Sequence, residues 1–230
     1  MNPKPYDWLL FDLDNTILDF KKSSIHAFHA IMQENGLERD DSDYALFSSI
    51  NKQVWEEMES GQINHQELKV RRWDMYAEAK SMNLDSATAN ARYFQHIREN
   101  SFYVDFAKEM LDLTYAHFNL MIITNGLGEV QRPRILNTGL DQYFDHIVIS
   151  DELGYAKPNT AYFEHCHNLI GGWEKDRVLV IGDTPGSDIK GGNDFGYNTC
   201  WYNHSDQLSS EIKPDYEIAH LKELRRILLV

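Results

Sequence analysis

The 230 residues are enough for one large domain, or for a core domain with a smaller one inserted, and a 42% hydrophobic content can bury a substantial core. A net charge of −14 argues against nonspecific binding to a nucleic-acid polymer or an anionic membrane, although a bound cation can reverse the local field for a small anion. Cys166 and Cys200 are far apart and in no metal-ligand spacing, Met1 to Pro5 leads into no apolar signal region, and no run approaches the ~20 apolar residues of a membrane span, so the expected setting is a reducing cytoplasm.

Trp8-Leu9-Leu10-Phe11 is a continuous apolar run that reads as a strand buried on both faces. It leads into Asp12-Leu13-Asp14-Asn15-Thr16. Residues i and i+2 of a strand point the same way, so Asp12 and Asp14 leave its carboxyl end on a common side. In an open α/β sheet that end faces the ligand crevice.

From about residue 22 to residue 100 the pattern becomes helical. Ser23 or Ser24 can cap a helix carrying Ile25, Phe28, Ile31 and Met32, which stops before Gly36. From Ser42, the residues Leu46, Phe47, Ile50, Val54, Trp55 and Met58 recur at helical spacing as far as Gly61. A third helix is expected to place Leu68, Trp73, Tyr76 and Ala77 inward, and a fourth Ala87, Ala91, Phe94 and Ile97. The block reads as a small helical domain inserted directly after the first strand.

Strand and helix alternate from about Asp105 onward. Phe106 to Phe118 reads as helix, Leu120 to Ile123 as a strand ending in Thr124-Asn125-Gly126, and the next helix closes near Gly139. His146 to Ile149 is a strand, and Asp151 to Asn159 a loop containing Lys157-Pro158. A further helix leads to the strand Val178 to Ile181, which ends in Gly182-Asp183. A Gly-rich helix from Ile189 to Gly196, a strand from Thr199 to Tyr202 and a helix from His220 to Leu228 complete the chain. This alternation predicts a doubly wound, Rossmann-like parallel sheet with helices on both faces.

Such a sheet brings its strand ends together at one edge. The site assembled there has the carboxylates of Asp12, Asp14, Asp183 and Asp188, the Thr124 hydroxyl, the Asn125 amide and the Lys157 ammonium. Crowded carboxylates are tolerated around a hard cation, and Mg²⁺ suits an oxygen-rich site that leaves room for water. Lys157, Thr124 and backbone N–H groups suit a phosphate.

These residues resemble the haloacid dehalogenase superfamily of aspartate-nucleophile hydrolases. Asp12-Leu13-Asp14-Asn15-Thr16 is similar to its first motif, Ile123-Thr124-Asn125 to its second, Lys157-Pro158 to its third, and Gly182-Asp183-Thr184-Pro185-Gly186-Ser187-Asp188 to its fourth. The resemblance implies an α/β catalytic core over residues 1–18 and 102–230, with a helical cap domain over 19–101. It implies Asp12 as nucleophile and Asp14 as general acid and base, the latter kept protonated by neighbouring negative charge. It further implies phosphoryl binding by Thr124, Lys157 and the Asn125 backbone amide. Magnesium would be held by Asp12, the Asp14 carbonyl and Asp183, with Asp188 in support. The second acid of the first motif, Asp14, separates phosphatases from the dehalogenases that named the superfamily.

A narrower resemblance is to the helical-capped, 5′-nucleotidase-like branch, through Asn51-Lys52, Trp55, Gly61-Gln62-Ile63, Arg72, Thr124-Asn125-Gly126 and Val148 to Pro158. It implies a nucleoside 5′-monophosphate as substrate, pyrimidine more than purine; Phe20, placed just after the first motif at the start of the cap, is a candidate either to stack on the base or to pack the hinge. The alternatives are a phosphatase or phosphomutase for another small phosphorylated metabolite, or a phosphoacceptor signalling or regulatory domain. Oligomeric state is not given by the sequence. His165-Cys166-His167 reads as structural or exposed rather than metal-binding, because helical residues two apart do not share a face. Gly191-Gly192 reads as a place of close helix packing or of local bending.

Overall fold

A computed structural model describes residues 5–37, 40–204 and 211–229. The chain forms two compact units, Met1–Phe20 with Ser101–Val230, and Lys21–Asn100. In chain order the elements are β1 (Trp8–Phe11), α1 (Phe20–Glu34), α2 (Asp41–Glu59), α3 (His65–Ala79), α4 (Ser86–Glu99), α5 (Ala107–Tyr115), β2 (Asn119–Thr124) and α6 (Gly128–Asn137). They continue with β3 (His146–Ile149), α7 (Ser150–Leu153), α8 (Thr160–Leu169), β4 (Val178–Gly182), α9 (Lys190–Phe195), β5 (Asn198–Tyr202), β6 (Tyr216–Ile218) and α10 (Leu224–Leu228).

The core unit is built on six parallel strands in the order β3-β2-β1-β4-β5-β6. This is the doubly wound arrangement expected from the alternation of strands and helices, and its order reverses between β1 and β4. Both faces of the sheet are buried, as the uninterrupted apolar runs require. Leu9, Phe11, Leu120, Ile122, Leu179 and Ile181 pack on one side against Met110 and Leu111 of α5, Ile135 of α6, and Leu224 and Leu228 of α10. Their alternate neighbours Trp8, Leu10, Met121, Ile123, Val178 and Val180 pack on the other side against Tyr162, Phe163 and Cys166 of α8. A Cβ on Gly191 would lie 2.3 Å from the Phe163 ring and one on Gly192 2.7 Å from the Thr199 methyl, so the paired glycines allow α9 to pack closely. The insertion leaves and rejoins this unit through paired segments. Leu18 bridges Tyr103, and the Asp19 N–H donates to the Phe102 carbonyl at 2.8 Å.

The second unit comprises the helices α1 to α4, from Lys21 onward. Its core is aromatic, with Phe28, Phe47, Trp73, Tyr76 and Tyr93 packed around one another and Phe47 centred 4.6 Å from Trp73. Polar residues start its helices as the sequence chemistry requires. Asp40 caps α2 through the Asp43 N–H, Asn64 and Glu67 form a reciprocal capping box on α3, and Asp85 caps α4.

The structure corrects four expectations. Helix α1 begins at Phe20, so Ser23 and Ser24 are buried inside it rather than capping it, with Ser24 Oγ 2.7 Å from the Tyr93 hydroxyl. On α4 the buried face is Ala89, Asn90, Tyr93, Phe94 and Ile97, while Ala87 and Ala91 are exposed. The loop after β3 contains the short helix α7, and the three-residue edge strand β6 was not foreseen. Among the described residues no helix is long and apolar enough to cross a membrane. The amino-terminal residues Met1 to Lys4, part of the signal-region reading, lie outside the described residues.

Candidate active site

The register of the central strands sets the site. Phe11 at the end of β1 pairs with Ile122 of β2 and Ile181 of β4, so Asp12, Ile123-Thr124 and Gly182-Asp183 continue past the same sheet edge. The Asp12 N–H extends the β1–β4 ladder by donating to the Ile181 carbonyl at 2.8 Å. Asp12 thus stands at the reversal of strand order, where open α/β sheets bind ligands.

Asp12, Lys157 and Asp188 form the buried centre. The Lys157 ammonium donates to Asp12 Oδ1 at 2.7 Å, to Asp188 Oδ1 at 2.7 Å and to the Ile123 carbonyl at 2.8 Å. An ammonium has three protons, and these three acceptors account for all of them. Lys157 therefore meets a phosphoryl oxygen only by sharing or exchanging one of these bonds. Burial holds the Asp12 carboxyl well above the usual range, with Lys157 pulling it down and Asp188 and Asp183 pushing it further up. Asp188 is raised chiefly by burial as well. For Lys157, burial alone favours loss of the proton, but the two carboxylates together outweigh it and push its pKa up.

Asp188 reaches this centre from a π-helical turn, Pro185–Ile189, immediately after β4. Its second oxygen accepts from the Thr184 N–H at 3.1 Å. A Cβ on Gly182 would fall 2.3 Å from that oxygen, so only glycine at this position lets Asp188 lie against the strand end. Asp183 is half-buried, accepts from the Thr184 hydroxyl at 3.1 Å, and has its carbonyl held by the Trp201 indole N–H at 2.9 Å. Asp12, Asp183 and Asp188 each offer one oxygen within 4.8 Å of the others, the one such group among the described residues. Three carboxylates against one ammonium leave excess negative charge on hard oxygen donors. That donor set fits a divalent cation such as magnesium.

Thr124 and Asn125 follow β2. The Thr124 hydroxyl oxygen accepts from the Gly126 N–H and from Gln131 Nε2, both at 3.1 Å, leaving its own proton to donate. The Asn125 side chain spans to the Lys157 backbone, accepting from its N–H and donating to its carbonyl, both at 2.8 Å. Its amide thus fixes the Lys157 segment, a role the sequence reading did not assign. His167 packs on Phe195 and Tyr197 and Cys166 is fully buried, in keeping with a structural role for that segment.

Asp14 lies apart from the Lys157 cluster's bonds. Its two oxygens accept from Arg134 Nη1 at 2.5 Å and from Gln131 Nε2 at 2.6 Å. The groups bonded to it are thus a guanidinium and a carboxamide, both from α6. Asn15 beside it has a φ of 59°, a left-handed conformation that asparagine tolerates better than most residues. Phe20 is half-buried, and the Arg134 guanidinium lies over its ring at 5.6 Å. Gln131 and Arg134 were missed in the sequence. Their only signal was the placement of two polar residues three apart on a helix that must pack against the sheet.

Fold and site together define an α/β protein with an acidic, cation-compatible cluster at the turning point of a doubly wound sheet and a helical insertion after its first strand. The family model for haloacid dehalogenase-like hydrolases matches residues 9–202, and the chain belongs to that family. The chain is 31% identical to the putative HAD-hydrolase YfnB of Bacillus subtilis (strain 168), over 98% of this chain and 96% of that one. It is also 31% identical to pyrimidine 5′-nucleotidase YjjG of Escherichia coli (strain K12), over 97% of this chain and 98% of that one, and to pyrimidine 5′-nucleotidase PynA of Streptococcus pneumoniae (strain ATCC BAA-255 / R6), over 95% and 93%. A crystal structure of YfnB bound to magnesium matches with a TM-score of 0.92 at 31% identity, covering 99% of this chain and all of the other.

Proposed function

We propose that this hydrolase is a magnesium-dependent phosphomonoesterase that works through an aspartyl-phosphate on Asp12, with pyrimidine nucleoside 5′-monophosphates as its substrates. The observation that carries the reading is Asp12 itself, a carboxylate at the sheet's turning point with Lys157, Asp183 and Asp188 around it. The substrate class rests on the two pyrimidine 5′-nucleotidase relatives. A cytoplasmic setting fits two buried free thiols, Cys166 and Cys200.

In the first step an Asp12 carboxylate oxygen bonds to phosphorus as the ester P–O bond breaks, and Asp14 gives its proton to the departing alkoxide. In the second, Asp14 takes a proton from water as the water oxygen bonds to phosphorus. The bond between Asp12 and phosphorus then breaks, releasing phosphate and restoring the carboxylate. Thr124, the Asn125 backbone amide and Lys157 face the phosphoryl oxygens and balance their charge. Magnesium, held by Asp12, Asp183 and the Asp14 carbonyl with Asp188 in support, would supply the positive charge that lets an anionic phosphate approach a carboxylate. Phe20, half-buried at the start of α1, is our candidate for contact with the base.

Phosphate release from a panel of nucleotides and sugar phosphates tests this reading, with metal-free enzyme as a parallel arm. Uridine and thymidine 5′-monophosphates are expected to give the highest kcat/KM, lowered by Phe20→Ala. Activity should vanish with chelator and return with magnesium. Sugar phosphates leading the panel unchanged by Phe20→Ala would reject the substrate assignment, and full activity in metal-free buffer would reject the cation's role.

A further inference from the structure

Helix α6 carries a side-chain network that ends on Asp14. Its first N–H, from Gly128, donates to Asp151 Oδ2 at 3.0 Å, and Arg132 pairs with Glu152 of α7 at 2.6 Å, so the helix is tied at its start. Gln131 and Arg134, three residues apart, share a face and are both buried, Arg134 with no exposed surface at all. Arg134 Nη1 donates to Asp14 Oδ1 at 2.5 Å and to Gln131 Oε1 at 2.7 Å, and its Nε donates to the Ser101 hydroxyl at 3.2 Å. Gln131 Nε2 donates both to Asp14 Oδ2 at 2.6 Å and to Thr124 Oγ1 at 3.1 Å. A Cβ on Gly126 would sit 2.0 Å from Gln131 Nε2, so the glycine after Thr124-Asn125 is what leaves room for that side chain.

A buried guanidinium is costly unless paired. Arg134 meets that cost with a carboxylate whose own side chain is 26% exposed and needs no internal partner to stay solvated. The arrangement suits orientation. A carboxylate has about four lone-pair sites, and the two donors from α6 occupy one on each oxygen. Each oxygen keeps another, so the plane of the group is fixed while a proton can still be held or passed on. Gln131 also joins this group to Thr124, the hydroxyl that faces phosphate in our reading, so proton carrier and phosphoryl site are held in common.

We propose that Arg134, directly and through Gln131, is a positioning residue for proton transfer by Asp14, an inference that rests on reading Asp14 as the acid and base of a phosphomonoesterase. Orientation of this kind is worth large factors in rate, because a displacement of about 1 Å can lower it about 10²-fold.

The test compares a substrate whose leaving group needs a proton, uridine 5′-monophosphate, with one whose leaving group departs without it, p-nitrophenyl phosphate. The full-length enzyme is used with magnesium, and kcat/KM reports the step up to formation of the phosphoenzyme. Asp14→Asn should lose about 10²–10⁴-fold on the nucleotide, with a loss on the aryl ester at least about tenfold smaller. Arg134→Met should show the same pattern at about 10–10²-fold, with the loss in kcat rather than KM, and Arg134→Lys should recover part of it. Equal losses of Arg134→Met on both substrates would make Arg134 merely structural, and no loss on either would remove its role. If Arg134→Met does not fold, Arg134→Lys decides, since it keeps a buried cation but not the planar fork. A nucleotide-selective loss supports positioning, and a uniform loss or none overturns it. If Asp14→Asn itself shows no dependence on the leaving group, the reading of Asp14 fails and the proposal with it, whatever Arg134 does.

Discussion

Asp12→Asn is expected to lower kcat by at least about 10³-fold while leaving the protein folded, because a carboxamide is a poor nucleophile. The structure adds a second expectation that motif reading alone does not give. Asp12 is buried beside Asp188 and held above the usual carboxylate range, so the folded protein disfavours its charged form. Asparagine removes that charge, keeps an oxygen for Lys157, and leaves Lys157 paired with Asp188 alone. The thermal midpoint of Asp12→Asn, measured without metal, is therefore expected at or above that of the wild type. Such an exchange of stability for function is common where a site concentrates like charge. Near-wild-type phosphate release would remove Asp12 as nucleophile. A sharply lower midpoint would mean that its charge supports the fold.

Lys157→Ala is expected to act in the opposite direction on stability. It deletes the ammonium that satisfies Asp12, Asp188 and the Ile123 carbonyl, all away from solvent. Removing one partner of a buried ion pair costs about 3–5 kcal/mol, because the remaining charge is left uncompensated. Urea unfolding in chelator should show a loss of that size, together with a large fall in kcat/KM. Magnesium binding should be retained, because the oxygen donors Asp12, Asp183 and Asp188 remain, and added magnesium should restore part of the stability. A loss below about 1 kcal/mol would mean that the buried triad is not a supporting element of the core. Failure to bind magnesium with phosphate binding unchanged would reverse the role assigned to the residue.

These two variants draw on parts of the site that were legible to different degrees. The strands were readable because β1, β2 and β4 pack on both faces, which leaves an apolar run with no polar interruption until the ligand edge. Asp12, Thr124, Asp183 and Asp188 could be grouped for the same reason, since each follows such a run. The local partners were not readable. Lys157 is legible as a phosphate ligand, but the bonds of its three protons to Asp12, Asp188 and the Ile123 carbonyl form only when distant loops meet. Gln131 and Arg134 stand in Gln131-Arg132-Pro133-Arg134, where polar residues suggest a solvated face, yet two of them turn inward to Asp14.

The same limit explains the errors in the insertion. On α4 the buried stripe includes Asn90 and the Tyr93 hydroxyl, so an apolar count chose the small residues Ala87 and Ala91 and shifted the face. Ser23 and Ser24 carry the chemistry of a helix cap, but α1 starts at Phe20, ahead of them, and the Ser24 hydroxyl meets the Tyr93 hydroxyl within the helical unit. Strand β6 is only three residues long at the sheet edge and is seated by Asp215, which accepts from the Thr199 N–H at 2.8 Å. No periodicity develops over so short a segment.

The central claim is that phosphate passes through a covalent bond to Asp12, and trapping that species tests it most directly. Asp14→Asn treated with p-nitrophenyl phosphate and magnesium keeps the nucleophile but lacks the base for the second step, so the phosphoenzyme should accumulate. After acid quench and proteolysis, mass spectrometry should find one phosphoryl group on the peptide containing Asp12, and none when Asp12→Asn is added to the variant. Rapid-quench samples that form p-nitrophenol in the first turnover with no phosphorylated peptide, or with the phosphoryl group on another residue, would contradict the account.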